Sequence, residues 1–310
     1  MDYLSSLPEA LVSEILVYLK SPRDVCRSSA ISWGFKSAAD SDAVWDRYLP
    51  SDYREIISRS VSPLDFSSKK HLYFLLADSP LLIDGGKLSF SLDKESRKKC
   101  YMLGARGLTI VWGDTPIYWA WRSLPWGSLP QSRSPSLPLR VRAHVVLFIS
   151  VCGKRSYFTF LRAYSFSTCR FSEVAELVSV CWLDIKGKIE TRLLSPKTTY
   201  VAFLVFKFVQ ANQGFESLPA KASVRLVGDE EEKSSTVYLK QPLTPVTSEG
   251  LSGRFPQERK DKWMEIQLGE FFNDQGDDGE VVMQLMEIER GNWKYGLVVE
   301  GIEIRPKIDT

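Results

Sequence analysis

The sequence predicts an α+β, multidomain chain: a small N-terminal helical module followed by a larger, mainly antiparallel β-sandwich. Over the first 49 residues, apolar side chains recur at helical spacing between helix-start signals. From residue 100 onward, short runs rich in β-branched and aromatic residues alternate with turn signals such as GDTP, KGK, SPKTT, NDQGDDG and RGN. Size agrees, because 310 residues hold one large or two modest domains, and 44% apolar with 25% charged residues is ordinary for globular protein.

The first helix rests on Leu7, Leu11, Ile15 and Leu19, which share one face, with Leu16 beside them. Ser6 and Glu9 have capping-box spacing, and Pro8 is tolerated in the first turn. Ser21 predicts the cap of a second helix opened by Pro22, with Asp24 placed against the N-terminal dipole. That helix is expected to carry Val25, Ala30 and Trp33. A third, after Asp40 or Ser41, presents Val44, Trp45, Tyr48 and Leu49. A segment this short sits near the lower limit of autonomous folding, about 40 residues without staples. A partner protein is therefore expected to complete its core.

The residues behind that reading, LPEALVSEILVYLKSPRDVCRSSAISWGFKSAADSDAVWDRYLP, resemble an F-box, most closely that of plant phloem protein 2-like proteins. The Leu-Pro-Glu opening, the Ser-Pro-Arg-Asp turn and the Ser-Asp-x-Val-Trp ending carry the match. The resemblance implies docking to the Skp adaptor of a cullin-RING ubiquitin ligase, with Leu7, Pro8, Ile15, Leu16, Pro22 and Val25 as Skp-binding residues by position. The alternative is an amphipathic helical bundle that packs only on the rest of the chain.

Strands are expected at 108–112, 117–121, 180–185, 200–208, 223–227, 236–239, 263–268, 281–288 and 297–304. In WMEIQL, Met264, Ile266 and Leu268 alternate with Glu265 and Gln267, the pattern of a half-buried antiparallel strand. The stretches KKCYMLGARGLTIVWGDTPIYWAW, RFSEVAELVSVCWLDIKGKIETRLLSPKTTYVAFLVFKF, WMEIQLGEFFN and GNWKYGLVVEGIEIRPK resemble the phloem protein 2 domain, a lectin-type fold shared with Nictaba-like plant lectins. The implied organisation is an F-box at 1–50, a connecting segment at 51–96 and a β-sandwich of lectin type at 97–306.

An insertion at about 127–170 is expected to interrupt that domain. No Asp or Glu lies between Thr115 and Ser172, and 127–170 carries Arg133, Arg140, Arg142, Lys154, Arg155, Arg162 and Arg170. Subtracting these seven charges takes the formal net charge from +2 to −5, so the basic balance is local and argues against a nucleic-acid partner. An intron-derived insertion is the preferred reading, and a basic, aromatic-bearing binding loop is the alternative. The segment is expected to be weakly ordered, with an aggregation tendency at 145–151.

Several chemistries are not expected. Two histidines, His71 and His144, leave little basis for a nucleophile relay or a multi-His metal site. No phosphate-cradling glycine signature occurs. The five cysteines form no metal-type pair and suggest no secreted disulfide scaffold, which points to the cytoplasm or nucleus. The chain has no signal-peptide pattern at its start, and its densest apolar runs fall well short of the roughly 20 residues of a membrane span. A non-catalytic adaptor without a cofactor is the expectation. A sugar site needs an aromatic face and hydroxyl-binding groups. Trp112 and Trp119 flank the GDTPIY turn, and Glu280 and Glu287 lie on or near a late strand. The resemblance points to the same four residues for N-acetylglucosamine oligomers or N-glycan cores. A core role for Trp119 and solvent-facing roles for the two acids are the competing readings. Trp182 and Trp293 are expected in the core. A stress or phloem lectin without a degradative role, and a scaffold binding protein or RNA, are the alternative functions.

Overall fold

The computed structural model describes residues 7–19, 21–123, 169–216, 218–228, 234–241, 252–276 and 279–308. The expected insertion and its aggregating run therefore lie outside the described residues, apart from Cys169 and Arg170.

Among the described residues, six α-helices open the chain: α1 (Glu9–Val17), α2 (Pro22–Ser28), α3 (Trp33–Asp40), α4 (Asp42–Asp46), α5 (Tyr53–Ser58) and α6 (Lys69–Asp78). Serines define four of their starts. The side chains of Ser21, Ser32, Ser41 and Ser68 accept from backbone N–H groups of α2, α3, α4 and α6, as caps do. Two expectations are corrected. Pro8 holds the α1 cap position without a side-chain bond, and Glu9 accepts from Ser37 Oγ at 2.8 Å. The helix begun at Pro22 stops at Ser28, and Ser32 starts a new one at Trp33.

The helical module finishes its inner core within the chain. Trp45 is fully buried, donates Nε1–H to the Ala39 carbonyl at 2.6 Å, and packs against Tyr73 and Phe74 of α6 at 5.3 and 5.4 Å between ring centroids. Tyr48 donates to the Leu19 carbonyl at 2.7 Å. Lys70 pairs with Asp40, and Lys99 with Asp52, both at 2.6 Å. The 51–96 segment is thus no linker, because α5, α6 and two strands occupy it. A partner is not required for this inner core.

The strands are β1 (Leu81–Ile83), β2 (Leu88–Leu92), β3 (Lys99–Gly104), β4 (Thr109–Ile110), β5 (Trp119–Ser123), β6 (Glu173–Leu177), β7 (Leu183–Glu190), β8 (Thr198–Gln213), β9 (Pro219–Leu226), β10 (Ser234–Tyr238), β11 (Gln257–Glu258), β12 (Met264–Asn273), β13 (Glu280–Glu287) and β14 (Tyr295–Pro306). Among the described residues they form a nine-stranded sheet, β1-β2-β3-β14-β8-β12-β11, with β6 on β14 and β5 on β6. A five-stranded sheet, β10-β9-β13-β7-β4, faces it. All strand pairs are antiparallel. The β5–β6 ladder runs from Trp119 opposite Leu177 to Ser123 opposite Glu173.

Side-chain parity shows how the core is kept. On β8, the even residues Tyr200, Ala202, Leu204 and Phe206 point into the sandwich. On β14, Leu297 and Val299 point inward, then a bulge at Val299/Gly301 changes parity so that Ile302 and Ile304 do. On β12, a shift between Gln267 and Gly269 likewise passes the inward role from Ile266 and Leu268 to Phe271. Without these extra residues the later side chains would face the wrong side. The sheets meet closely at Gly187, where a Cβ would lie 3.0 Å from Ile302 and Leu103 side chains.

The outer face of the larger sheet is also covered. Leu82, Met102, Phe171, Val174, Val205, Trp263 and Val298 form a second apolar cluster there. Beside it, Glu303 binds Arg259 at 2.6 Å and Arg170 at 3.0 Å. No helix among the described residues is long and apolar enough to cross a membrane.

Candidate functional site

Two surfaces stand out. The first lies on the helical module. Two apolar stripes run along α1, one at positions 12 and 16 and the other at 11, 15 and 18. The fold buries Val12 and Leu16 and leaves Leu11, Ile15 and Tyr18 exposed. Ile31 and Trp33, where the chain turns into α3, are exposed as well, and α3 packs on α1. Trp33 is 83% exposed and Tyr18 79%. Of the residues singled out by position, Pro8 and Ile15 lie on the surface, Leu7 is half-buried, and Leu16, Pro22 and Val25 are buried. Leu11, Tyr18, Ile31 and Trp33 are the additions. Their signal in the sequence is the doubled stripe, because a helix flanked by one core needs only one.

The second surface is an end of the sandwich. The turn after β4 is closed by Gly113 N–H to the Ile110 carbonyl at 2.9 Å and Thr115 N–H to the Trp112 carbonyl at 2.9 Å. Trp112 adopts φ +58°, a left-handed conformation uncommon for a bulky residue. This turns its ring onto Trp182, 6.0 Å away and 15° from parallel, with Tyr118 at 5.0 Å. Trp112 is 38% exposed and Trp182 52%. The core expectation for Trp182 and Trp293 is corrected, since both are exposed. Each adjoins a loop that ends a strand, and a local apolar pattern does not distinguish a strand's last inward residue from the first residue beyond it.

Trp119 and the two acids do not join that surface. Trp119 is buried in the core, where its Nε1–H finds no protein acceptor. Glu280 and Glu287 stand at opposite ends of β13, about 23 Å apart at the rise of a strand. Glu280 binds Lys188 at 2.7 Å. Glu287 reaches the Trp112 end, but it is buried and ion-paired with the fully buried Lys294. The fold therefore brings Trp112 together with Trp182 and Tyr118, and separates it from Glu280. From the turn after β3, the Arg106 guanidinium lies 3.7 Å over the Trp121 ring of β5 and binds Glu173 of β6, whose carboxyl it holds below the usual carboxylate range. Among the described residues, no cluster of His, Cys, Asp or Glu could hold a metal ion.

Family models match at two places. The F-box-like family covers residues 4–51, and phloem protein 2 covers 98–136 and 143–306. Putative F-box protein PP2-B12 of Arabidopsis thaliana is 40% identical over 308 residues, spanning 99% of each chain. F-box protein PP2-B10 of the same plant is 37% identical over 306 residues, spanning 97% of this chain and 93% of its own. F-box protein VBF, also from Arabidopsis, is 35% identical over 323 residues and spans 97% and 99%. With both models matched in order and whole-length relatives at this identity, the chain belongs to the F-box proteins that carry a phloem protein 2 domain.

Proposed function

We propose that the protein is a non-catalytic substrate receptor of an SCF-type ubiquitin ligase. Its helical module docks to the Skp adaptor, and through it to the cullin-RING ligase. Its sandwich recruits the target, a glycoprotein or another protein. The supporting observation is the outer face of the module. Leu11, Ile15, Tyr18, Ile31 and Trp33 remain exposed although the same helices have already completed a core on their inner side. Large aromatic and aliphatic anchors gathered this way are the usual centre of a protein interface. A receptor of this kind accelerates ubiquitin transfer by positioning, which raises the effective concentration of target at the separately charged enzyme.

Co-purification tests the docking. Ile15→Asp with Trp33→Ala should abolish Skp capture while leaving the melting temperature of the full chain close to wild type. Undiminished capture overturns the adaptor reading.

For the recruiting surface, we assign Trp112, Tyr118 and Trp182 to a glycan bearing N-acetylglucosamine. The stacked, partly exposed indoles offer a face for the apolar side of a pyranose. The lectin reading without degradation uses the same surface, so Skp capture separates the two. The free cysteines Cys26, Cys100, Cys169 and Cys181 support a reducing compartment, the cytoplasm or nucleus, which fractionation of tagged protein checks.

A further inference from the structure

We propose that Lys294 and Glu287 are positioning residues of the aromatic surface: they hold Trp182 against Trp112, and neither touches the ligand. This rests on the reading of that surface as the glycan site.

Lys294 has no solvent exposure, and its ammonium group is fully employed. Nζ donates to the Cys181 carbonyl at 2.7 Å and the Asn292 carbonyl at 2.8 Å, and it pairs with Glu287. Two of its protons go to the carbonyls, and the Glu287 carboxylate lies beside it as counter-charge. The Lys294 backbone exchanges a pair of hydrogen bonds with Val180, at 2.7 and 3.0 Å. The two residues preceding Trp182 are thus fixed by one lysine. The residue following it, Leu183, is the ladder partner of Glu287 on β7–β13. Lys294 thus fixes the chain before Trp182, and the residue it pairs with, Glu287, sits on the β13 ladder opposite the residue after it.

The pair is costly to bury, and apolar replacements of similar size often serve stability as well or better. Its distinctive contribution is directional: a cation aimed at two carbonyls and a carboxylate sets where the Trp182 backbone turns. The opposing ring is held equally firmly. Trp112 sits in a left-handed conformation, and the neighbouring Val111 N–H donates to the Asp184 carbonyl at 3.1 Å, two residues beyond Trp182. Both walls of the stack are thus tied to the start of β7. Gly214 closes the other flank, because a Cβ there would lie 2.3 Å from the Trp293 carbonyl. Glu287 is enclosed as a consequence, with its second oxygen accepting from the Arg290 N–H at 3.3 Å.

The test uses the full chain and two readouts. One is the exciton-coupled circular dichroism of the stacked indoles, assigned through Trp112→Phe and Trp182→Phe. The other is calorimetric binding of triacetylchitotriose. Glu287→Gln should weaken the exciton signal and the affinity in step, because it acts only through Trp182. Lys294→Met combined with Glu287→Met strands no buried charge, and it should lower affinity by about tenfold with the signal at least halved. Affinity lost in Glu287→Gln with the exciton signal at wild-type strength would make Glu287 a ligand contact and overturn the proposal. A signal unchanged in both variants also overturns it. If the wild type binds no triacetylchitotriose, the glycan reading fails, and the exciton signal alone still decides the positioning role.

Discussion

Two tryptophans twelve residues apart in the sequence, Trp33 and Trp45, show how burial separates stability from recognition. Trp45→Ala removes a fully buried ring with a satisfied N–H and should cost about 3–5 kcal/mol in urea unfolding. Trp33→Ala touches a ring standing in solvent, so its effect should stay within about 0.5 kcal/mol. The sandwich repeats the contrast. Trp119→Ala should cost about as much as Trp45→Ala, whereas Trp112→Ala should remove ligand binding from a protein of near-wild-type stability. Equal losses in Trp112→Ala and Trp119→Ala would place both rings in the core. Residue identity in the sequence located all four rings near the correct elements. It did not establish their exposure, because that depends on which apolar stripe the rest of the chain covers. For Glu287 the missing information was Lys294, seven residues later, whose buried charge has no periodic signature.

Elements show the same division. The sequence pattern located β4, β5, β7 to β10 and β12 to β14, with ends displaced by a few residues. It passed over β1, β2, β3, β6 and β11. Leu81, Leu82 and Ile83 are apolar and buried consecutively, and Val174 to Leu177 are buried consecutively with Glu176 among them, so burial in β1 and β6 does not follow an alternating pattern. The bulges were also hidden, since an extra residue in a ladder is defined by its neighbour strand. Gly301→Ala tests one of them. A Cβ there would sit 2.0 Å from the Leu103 carbonyl, so the β14–β3 pairing must open, at a cost of about 2–3 kcal/mol. A chemical melt unchanged by this substitution refutes the close approach. The same strand carries a pH prediction. Burial favours the neutral form of Glu303, but Arg170, Arg259 and Arg305 outweigh it and hold the carboxyl at about 2. Its folded value lies below the unfolded one, about 4.3. The stabilisation is therefore complete above that value and is lost as pH falls toward 2. Glu303→Gln should flatten this acid limb in urea midpoints taken across the range, and a parallel curve contradicts the assignment.

At the scale of the molecule, one apolar core runs from Val12 in α1 to Ile304 in β14, with α6 and β2 between the two regions. A chain built this way should unfold in a single calorimetric transition, although it carries two family domains. Two resolved transitions contradict the shared core. A peptide of residues 1–50 lacks Tyr73 and Phe74, the rings that close over Trp45, and should show little helix on its own. Extending it through α6 should restore helix content. The division into a helical and a β part was readable from the change in periodicity. The continuity between them was not, because it depends on long-range packing by a stretch whose own sequence looks like a connection.

The β5–β6 ladder has a consequence for how such a chain changes over time. Ser123 and Glu173 stand directly opposite one another, so whatever sequence joins them leaves and re-enters the sheet at one point. Closing a flexible connection costs only about 0.6 kcal/mol more for each doubling of its length. At this hairpin, codons can accumulate or be trimmed while every other strand keeps its register. The sheet thus has a built-in port for length variation, placed at an edge away from the exposed apolar face of α1.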